Sequence, residues 1–354
     1  MRNYVGMDVL HHDQTPGTTR SRRGRWAMRA RRLAIVVAAL FTVIGIGATW
    51  TFLFGAPGVG HFRSADGRNA YMDAYAEAME ALPAPTSVHD IRTDYGSVRA
   101  YEWSTAEARG RAPVLLVPGR ASGVPMWAEN LPALVAEHRV LAFDALGDSG
   151  LSEQSVPFAR FADQAHPIEE VVTALAPGGV HIVGHSFGGA IAASFARQNP
   201  ERTLTLSLLE PVFTFARPPA GLFFWAMVSS LPLLPDGIRE TALEKIGGVE
   251  DEAATLGDDP MARMIAAATE HYQAALPQPA PLTDEELSQL TMPVYVAIAS
   301  DDSLAGGASA ARRAEQLPAA TVQTWPDTTH SLPMQAAGAV EPVLLDFFAE
   351  NQPS

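Results

Sequence analysis

Gly184-His185-Ser186-Phe187-Gly188 sets a serine between two stretches that demand different backbones. Ahead of it, Val180-His181-Ile182-Val183 reads as a short buried strand. Behind it, the Ala-rich run Gly189 to Gln198, with Phe195 and Arg197, reads as a helix. A Ser on so sharp a strand-to-helix turn takes a strained backbone conformation. The residues two positions to either side must then be small, so that neighbouring segments can pass close by. Gly184 and Gly188 meet that demand. In a chain with 28 glycines the pentapeptide alone is weak, and the flanking strand and helix give it meaning.

The same alternation runs through most of the 354 residues. Candidate strands are His89–Thr93, Val98–Trp103, Val114–Val117, Val140–Phe143, Val180–Val183, Leu204–Leu209, Val294–Ala299 and Val322–Trp325. Helices are expected at Arg68–Leu82, Met126–Glu137, Pro167–Leu175, Gly189–Gln198, Ala308–Gln316 and Val340–Glu350. Strands that alternate with helices predict an α/β fold, with a mostly parallel eight-stranded sheet covered on both faces. The alternation breaks between Glu210 and Met292, where the chain is helix-like with Pro-rich interruptions. An insertion after the sixth strand overlies the carboxyl edge of the sheet, where ligands bind in open α/β folds. Residues 212–290 are therefore read as a lid. Its most apolar part, Leu222 to Leu234, serves either as packing against the body or as an apolar wall for a substrate.

Composition bounds the rest. A 47% hydrophobic content with 18% charge describes a globular body. The formal charge of −14 is uneven: eight Arg against Asp8 and Asp13 give residues 1–32 a local +6, leaving −20 on the remainder. An acidic body argues against nucleic acid as a partner. Without cysteine there is neither a disulfide framework nor thiolate chemistry. Leu33 to Phe54 carries no charge, and its length suits a helix crossing a hydrocarbon core of roughly 30 Å. Arg22, Arg23, Arg25, Arg29, Arg31 and Arg32 precede it, so a single-pass anchor is expected, with a basic cytoplasmic tail (1–32) and the body outside. The competing reading is a cleaved export signal followed by secretion. Residues 55–85 form a linker and helix, and residues 86–354 the principal domain.

A neutral Ser hydroxyl needs a base within hydrogen-bond reach and a carboxylate to orient that base. In the fold that uses this turn the chain order is Ser, then Asp or Glu, then His. His330 lies in the polar loop Asp327-Thr328-Thr329-His330-Ser331 after the last strand, where the base belongs. For the acid, Val294–Ala299 runs into Ser300-Asp301-Asp302-Ser303. With Ala299 as the small residue closing the strand, the spacing selects Asp302. Asp301 is then a capping or solvated group, and Glu210, at the end of the sixth strand, is the fallback acid. His185 is assigned to packing. Two backbone amides should receive the oxyanion: Phe187 at the helix start, and Arg120 in the Pro118-Gly119-Arg120 turn after the third strand. Pro118 itself has no N–H to offer. No cofactor or metal is called for.

These features make the chain similar to the α/β-hydrolase superfamily, in its lidded serine-esterase branch, over roughly residues 86–351. The resemblance rests on the Ser186 turn, the Pro-Gly-Arg turn with Trp127 downstream, the segment Asp144-Ala145-Leu146-Gly147-Asp148-Ser149-Gly150-Leu151-Ser152, the Asp-Asp loop and His330. Tyr71 to Pro85 and the Gly147-Asp148 turn also resemble carboxylesterases that act on bulky aryl-propionate esters. The resemblance implies hydrolysis of a small carboxylic ester, apolar in its acyl or aryl part, through an acyl-enzyme. Relatives usually carry His-Gly where this chain has Pro118-Gly119, so the imidazole that braces their oxyanion loop is missing. A ligand-binding protein with little turnover is the alternative that this departure and the anchor motivate.

Overall fold

Five consecutive runs of apolar residues fix the architecture. Val114–Val117 (β4), Val140–Phe143 (β5), Val180–His185 (β7) and Val294–Ala299 (β10) are buried at every position, and Thr203–Leu209 (β8) at all but one. Runs of this kind belong to parallel strands with both faces covered. The computed structural model describes residues 58–229 and 259–352, with scattered positions between them. Within the compact unit Pro57–Ser354, one nine-stranded mixed sheet forms the centre. The antiparallel strands Ser87–Thr93 (β2) and Gly96–Trp103 (β3) lie at one edge, and Ala320–Trp325 (β11) at the other. The order is β11-β10-β8-β7-β4-β5-β3-β2, and the six strands from β11 to β5 are parallel. The ninth strand is the two-residue Glu153–Gln154 (β6), which pairs with β3 and is too short to register in a sequence pattern.

Side chains alternate across the sheet with period two. Val294, Val296 and Ile298 face a core completed by Phe187, Ile191 and Phe195, whereas Tyr295, Ala297 and Ala299 face one completed by Leu131, Leu134, Leu344 and Phe348. Helices Leu131–Glu137 (α2) and Ala337–Glu350 (α10) lie on the second face, and His166–Leu175 (α3) and Ser186–Gln198 (α4) on the first. Two helix boundaries differ from the sequence reading for local reasons. The helix expected from Met126 splits into a 3₁₀ turn at Val124–Trp127 and α2, because Pro132 suits a first turn and not a helix interior. The helix expected from Arg68 begins at Ala65 (α1, Ala65–Met79), since Ser64 caps it by accepting the Gly67 N–H.

The chain ahead of the sheet is tied to the inserted interval. His61–Phe62 (β1) pairs with Tyr272–Gln273 (β9), and Tyr71, Tyr75 and Ala78 of α1 pack with Met264 and Ala268 of α6 (Pro260–His271). The interval also supplies α5 (Ala220–Ser229) and α7 (Asp284–Ser288). On α5 the large apolar groups are open rather than packed: Phe223 is 41% exposed, Phe224 58% and Met227 52%. Among the described residues no helix is long and apolar enough to cross a membrane. The basic tail and the apolar stretch Leu33–Phe54 lie outside those residues.

The turn at Ser186 leaves no space for larger neighbours. A Cβ added at Gly188 would sit 2.2 Å from the Pro118 carbonyl oxygen and 2.5 Å from that of Val117. One at Gly338, in the first turn of α10, would meet nothing within 4 Å. Gly188→Ala is therefore expected to cost about 1–3 kcal/mol by overpacking, seen as a fall in Tm of several degrees. Gly338→Ala should hold or raise Tm. Thermal unfolding of both variants checks the pair.

Candidate active site

Strand order decides which loops meet. β4 and β7 are neighbours, with Val117 opposite Gly184, and β8 lies beside β7, with His185 opposite Leu209. The residues that follow these positions, Pro118–Arg120, Ser186 and Glu210, therefore emerge together at the carboxyl edge of the sheet. β5 lies beyond β4 on one side and β7 on the other, so this edge is the switch point of the winding.

Ser186 sits at φ 54, a left-handed conformation that non-glycine residues adopt only under constraint. Helix α4 starts at Ser186 itself, three residues earlier than the sequence reading. Gly184 makes the turn possible: a Cβ there would meet the Gly188 carbonyl oxygen at 2.6 Å and the Ala192 methyl at 2.8 Å. The half-buried Ser186 Oγ lies 2.9 Å from His330 Nε2. His330, after β11, is buried, and its Nδ1 lies 3.2 Å from Glu210 Oε2. A carboxylate only accepts, so Nδ1 carries the proton toward Glu210 and Nε2 is left to accept from the Ser186 hydroxyl.

The acid in contact with the base is thus Glu210, and the assignment to Asp302 is corrected. Asp302 is exposed, at φ 39, and makes no hydrogen bond to His330. The Glu210 side chain fills the place beside His330 Nδ1, whereas Asp302 is turned to solvent. The loop after β10 does not supply the carboxylate but holds it. Ala299 N–H and Ser303 Oγ–H donate to Glu210 Oε1 at 2.7 and 2.8 Å, and Ala305 N–H donates to Oε2 at 3.3 Å. Glu210 is fully buried, and these three donors with His330 satisfy it. The sequence signal was a carboxylate closing a buried apolar run, Leu208-Leu209-Glu210, next to Pro211.

His185 does more than pack. Its Nε2–H donates to the His330 carbonyl at 2.9 Å, and the two rings lie 4.9 Å apart. Burial first, and then the neighbouring His330, push its pKa down to about 3, so it adds no positive charge beside the base at neutral pH. Its Nδ1 is buried without a partner, facing Gly119.

The proposed oxyanion donors flank Ser186. Phe187 is in the first turn of α4, where amides have no partner within the helix. Across from it, a Cβ on Gly119 would lie 3.3 Å from Ser186 Cβ. Among the described residues no protein acceptor takes the Arg120 amide, while Gly119 N–H donates to Met126 Sδ at 3.2 Å. Beyond Glu210, Phe213 meets Phe223 of α5 edge-on, with ring centroids 5.9 Å apart. Away from this edge, Asp94, His166 and Glu170 cluster at the exposed β2–β3 turn. They bond one another, with the Asp94 amide donating to Glu170 at 3.0 Å and His166 Nε2 lying 3.4 Å from Asp94.

Comparison with known proteins gives a consistent result. The profile of the alpha/beta hydrolase family matches residues 114–343. The naproxen esterase (carboxylesterase NP) of Bacillus subtilis superposes with a TM-score of 0.72 at 21% identity, covering 81% of this chain and 99% of that one. A putative carbamate hydrolase of Variovorax paradoxus is 28% identical over 249 residues, 67% of this chain and 91% of that protein. A dihydrolipoyllysine acetyltransferase component of an acetoin-cleaving system from Pseudomonas putida is 32% identical over 111 residues. That match takes in 31% of this chain and spans only 30% of the relative.

The geometry separates the two carboxylates by experiment. Glu210→Gln should slow covalent labelling of Ser186 by a fluorophosphonate by on the order of 10²- to 10⁴-fold, since the amide no longer fixes the imidazole tautomer. Asp302→Asn should label at the wild-type rate. Second-order labelling rates of the two folded variants check this.

Proposed function

The chain belongs to the alpha/beta hydrolase family, and from that premise we propose that it is a serine hydrolase that cleaves small carboxylic esters through an acyl-enzyme. One observation carries the reading: the hydrogen-bond chain Ser186 Oγ–His330 Nε2 and His330 Nδ1–Glu210 Oε2 at the sheet's carboxyl edge. In the first half-reaction Ser186 Oγ attacks the ester carbonyl carbon and its proton passes to His330 Nε2. The Phe187 and Arg120 amides bind the oxygen that becomes anionic, and Glu210 holds the imidazolium. The intermediate collapses, the C–O bond to the alcohol breaks, and His330 returns its proton to the leaving alkoxide. Water then attacks the acyl-serine, gives its proton to His330, and the acid leaves as Ser186 is reprotonated.

Support for an ester rather than another acyl bond comes from the carboxylesterase of similar fold. Support for an apolar acyl or aryl group comes from the uncharged helix α5, whose Phe223 approaches Phe213 three residues beyond Glu210. The charge-free stretch Leu33–Phe54 behind its Arg cluster supports a membrane tether with the catalytic body outside the cytoplasm, release after signal cleavage being the alternative. A second reading, ligand binding with little turnover, is favoured by Pro118, which gives the oxyanion loop no side-chain brace, and by the expected anchor.

Short-chain p-nitrophenyl esters decide between them. The purified protein should turn over p-nitrophenyl acetate and butyrate with release of the phenol, and Ser186→Ala and His330→Ala should fall to background. Turnover equal to background in the folded wild type favours binding. Faster release from a matched aryl carbamate than from the ester would move the substrate class toward that of the Variovorax relative.

A further inference from the structure

The loop between β4 and the 3₁₀ turn at Val124–Trp127 has few polar means of holding itself. Pro118 has neither an N–H nor a polar side chain, and Ser122 Oγ–H is turned back onto the Arg120 carbonyl at 3.2 Å. Yet the loop must present the Arg120 amide in one orientation, and its next residue, Ala121, is held at φ 59. Two buried carboxylates from the turn after β5 reach into it. Ala121 N–H donates to Asp148 Oδ2 at 2.8 Å, and Val124 N–H donates to Asp144 Oδ1 at 3.0 Å.

We propose that Asp148 is the positioning residue of the oxyanion loop, fixing the Arg120 amide by gripping the amide of Ala121 next to it. The grip on the other side is the Gly119 N–H on Met126 Sδ, so the Arg120 amide lies between two pinned neighbours and is itself free to donate. Asp148 is suited to the task because it is itself immobile. Ser149 N–H donates to its second oxygen, Oδ1, at 2.8 Å, and the residue is buried. Burial pushes its pKa up, and the Arg120 charge and the two amides oppose that rise; Tyr71, Tyr272 and Asp144 are its other ionisable neighbours. Both oxygens accept from N–H groups, the pattern that an ionised carboxylate satisfies, and such charge-assisted bonds are short and directional. Burying a carboxylate with no basic side chain in hydrogen-bond contact is costly. A group that only filled space here would be neutral. Asp144 holds the far end of the loop with the same logic, taking Leu151 N–H and Tyr75 Oη–H on its other oxygen at 2.8 and 2.9 Å.

The inference rests on the serine-hydrolase reading, and the experiment keeps the two apart. Wild type, Asp148→Asn and Asp148→Ser are compared in p-nitrophenyl butyrate hydrolysis, in affinity for an alkyl trifluoromethyl ketone, and in Tm. Asparagine keeps one acceptor but turns an NH₂ toward the other amide. A displaced oxyanion donor should lower kcat by on the order of 10- to 100-fold with KM little changed, because the amide acts on the transition state and not on the bound ester. Affinity for the ketone, whose adduct carries the same oxyanion, should fall by a similar factor. An inactive wild type would sink the hydrolase reading and this inference with it. An active wild type with kcat and ketone affinity unchanged in the folded variants would overturn the inference alone. So would a rise in KM without loss of kcat, or failure of both variants to fold, either of which would make Asp148 a structural group.

Discussion

The bonds to the Glu210 carboxylate are the point on which the site converges. Four donors from two separate stretches of chain meet on its two oxygens: Ala299 at the end of β10 with Ser303 and Ala305 in the loop that continues it, and His330 after β11. Fully buried, Glu210 would be costly without them. With them it locks three loops at the carboxyl edge into one arrangement, and the imidazole is the only member of the set with a second nitrogen, which faces Ser186 Oγ. His185 completes the lock by taking the His330 carbonyl, so the base is held by both its ring and its backbone. Strain gathers where this constraint is strongest. Ser186, Glu210 and Ala121 all hold positive φ, as residues over-determined by their surroundings do.

The opposite wall follows a different principle. The loop that carries Arg120 has only Ser122 to close it on itself, through the Gly119 and Arg120 carbonyls, and the turn after β5 adds two carboxylates. The two halves of the site are thus both organised by buried acids that collect N–H groups, one set orienting a proton carrier and the other orienting an oxyanion donor. Both depend on the sheet order that brings β5, β4, β7 and β8 side by side.

Much of this was legible in the sequence where the signal was local. All eight expected strands are present, the five central ones as compact buried runs and β2 as an edge strand whose burial alternates. Ser186 and His330 stood out through strand-turn-helix context and chain order. What failed was the choice between two carboxylates. Asp301-Asp302 advertised itself as an acidic loop, whereas Glu210 read as the tail of an apolar strand. Which side chain reaches the imidazole is a long-range fact: the loop after β10 folds its donors onto Glu210 and leaves Asp302 exposed. Asp148 stood in a quoted motif, but its role was hidden for the same reason: its partner, Ala121, is 27 residues away, and the contact depends on β4 and β5 being paired. Helix starts missed by a turn were decided by single residues, Ser64 as a cap and Pro132 as a break.

The central claim, that Glu210 and not Asp302 holds the proton on His330, is open to direct observation. Proton NMR of protein labelled with ¹⁵N-histidine should show one far-downfield Nδ1–H signal from His330, moved upfield or lost in Glu210→Gln and retained in Asp302→Asn. Retention in Glu210→Gln with loss in Asp302→Asn would contradict the account.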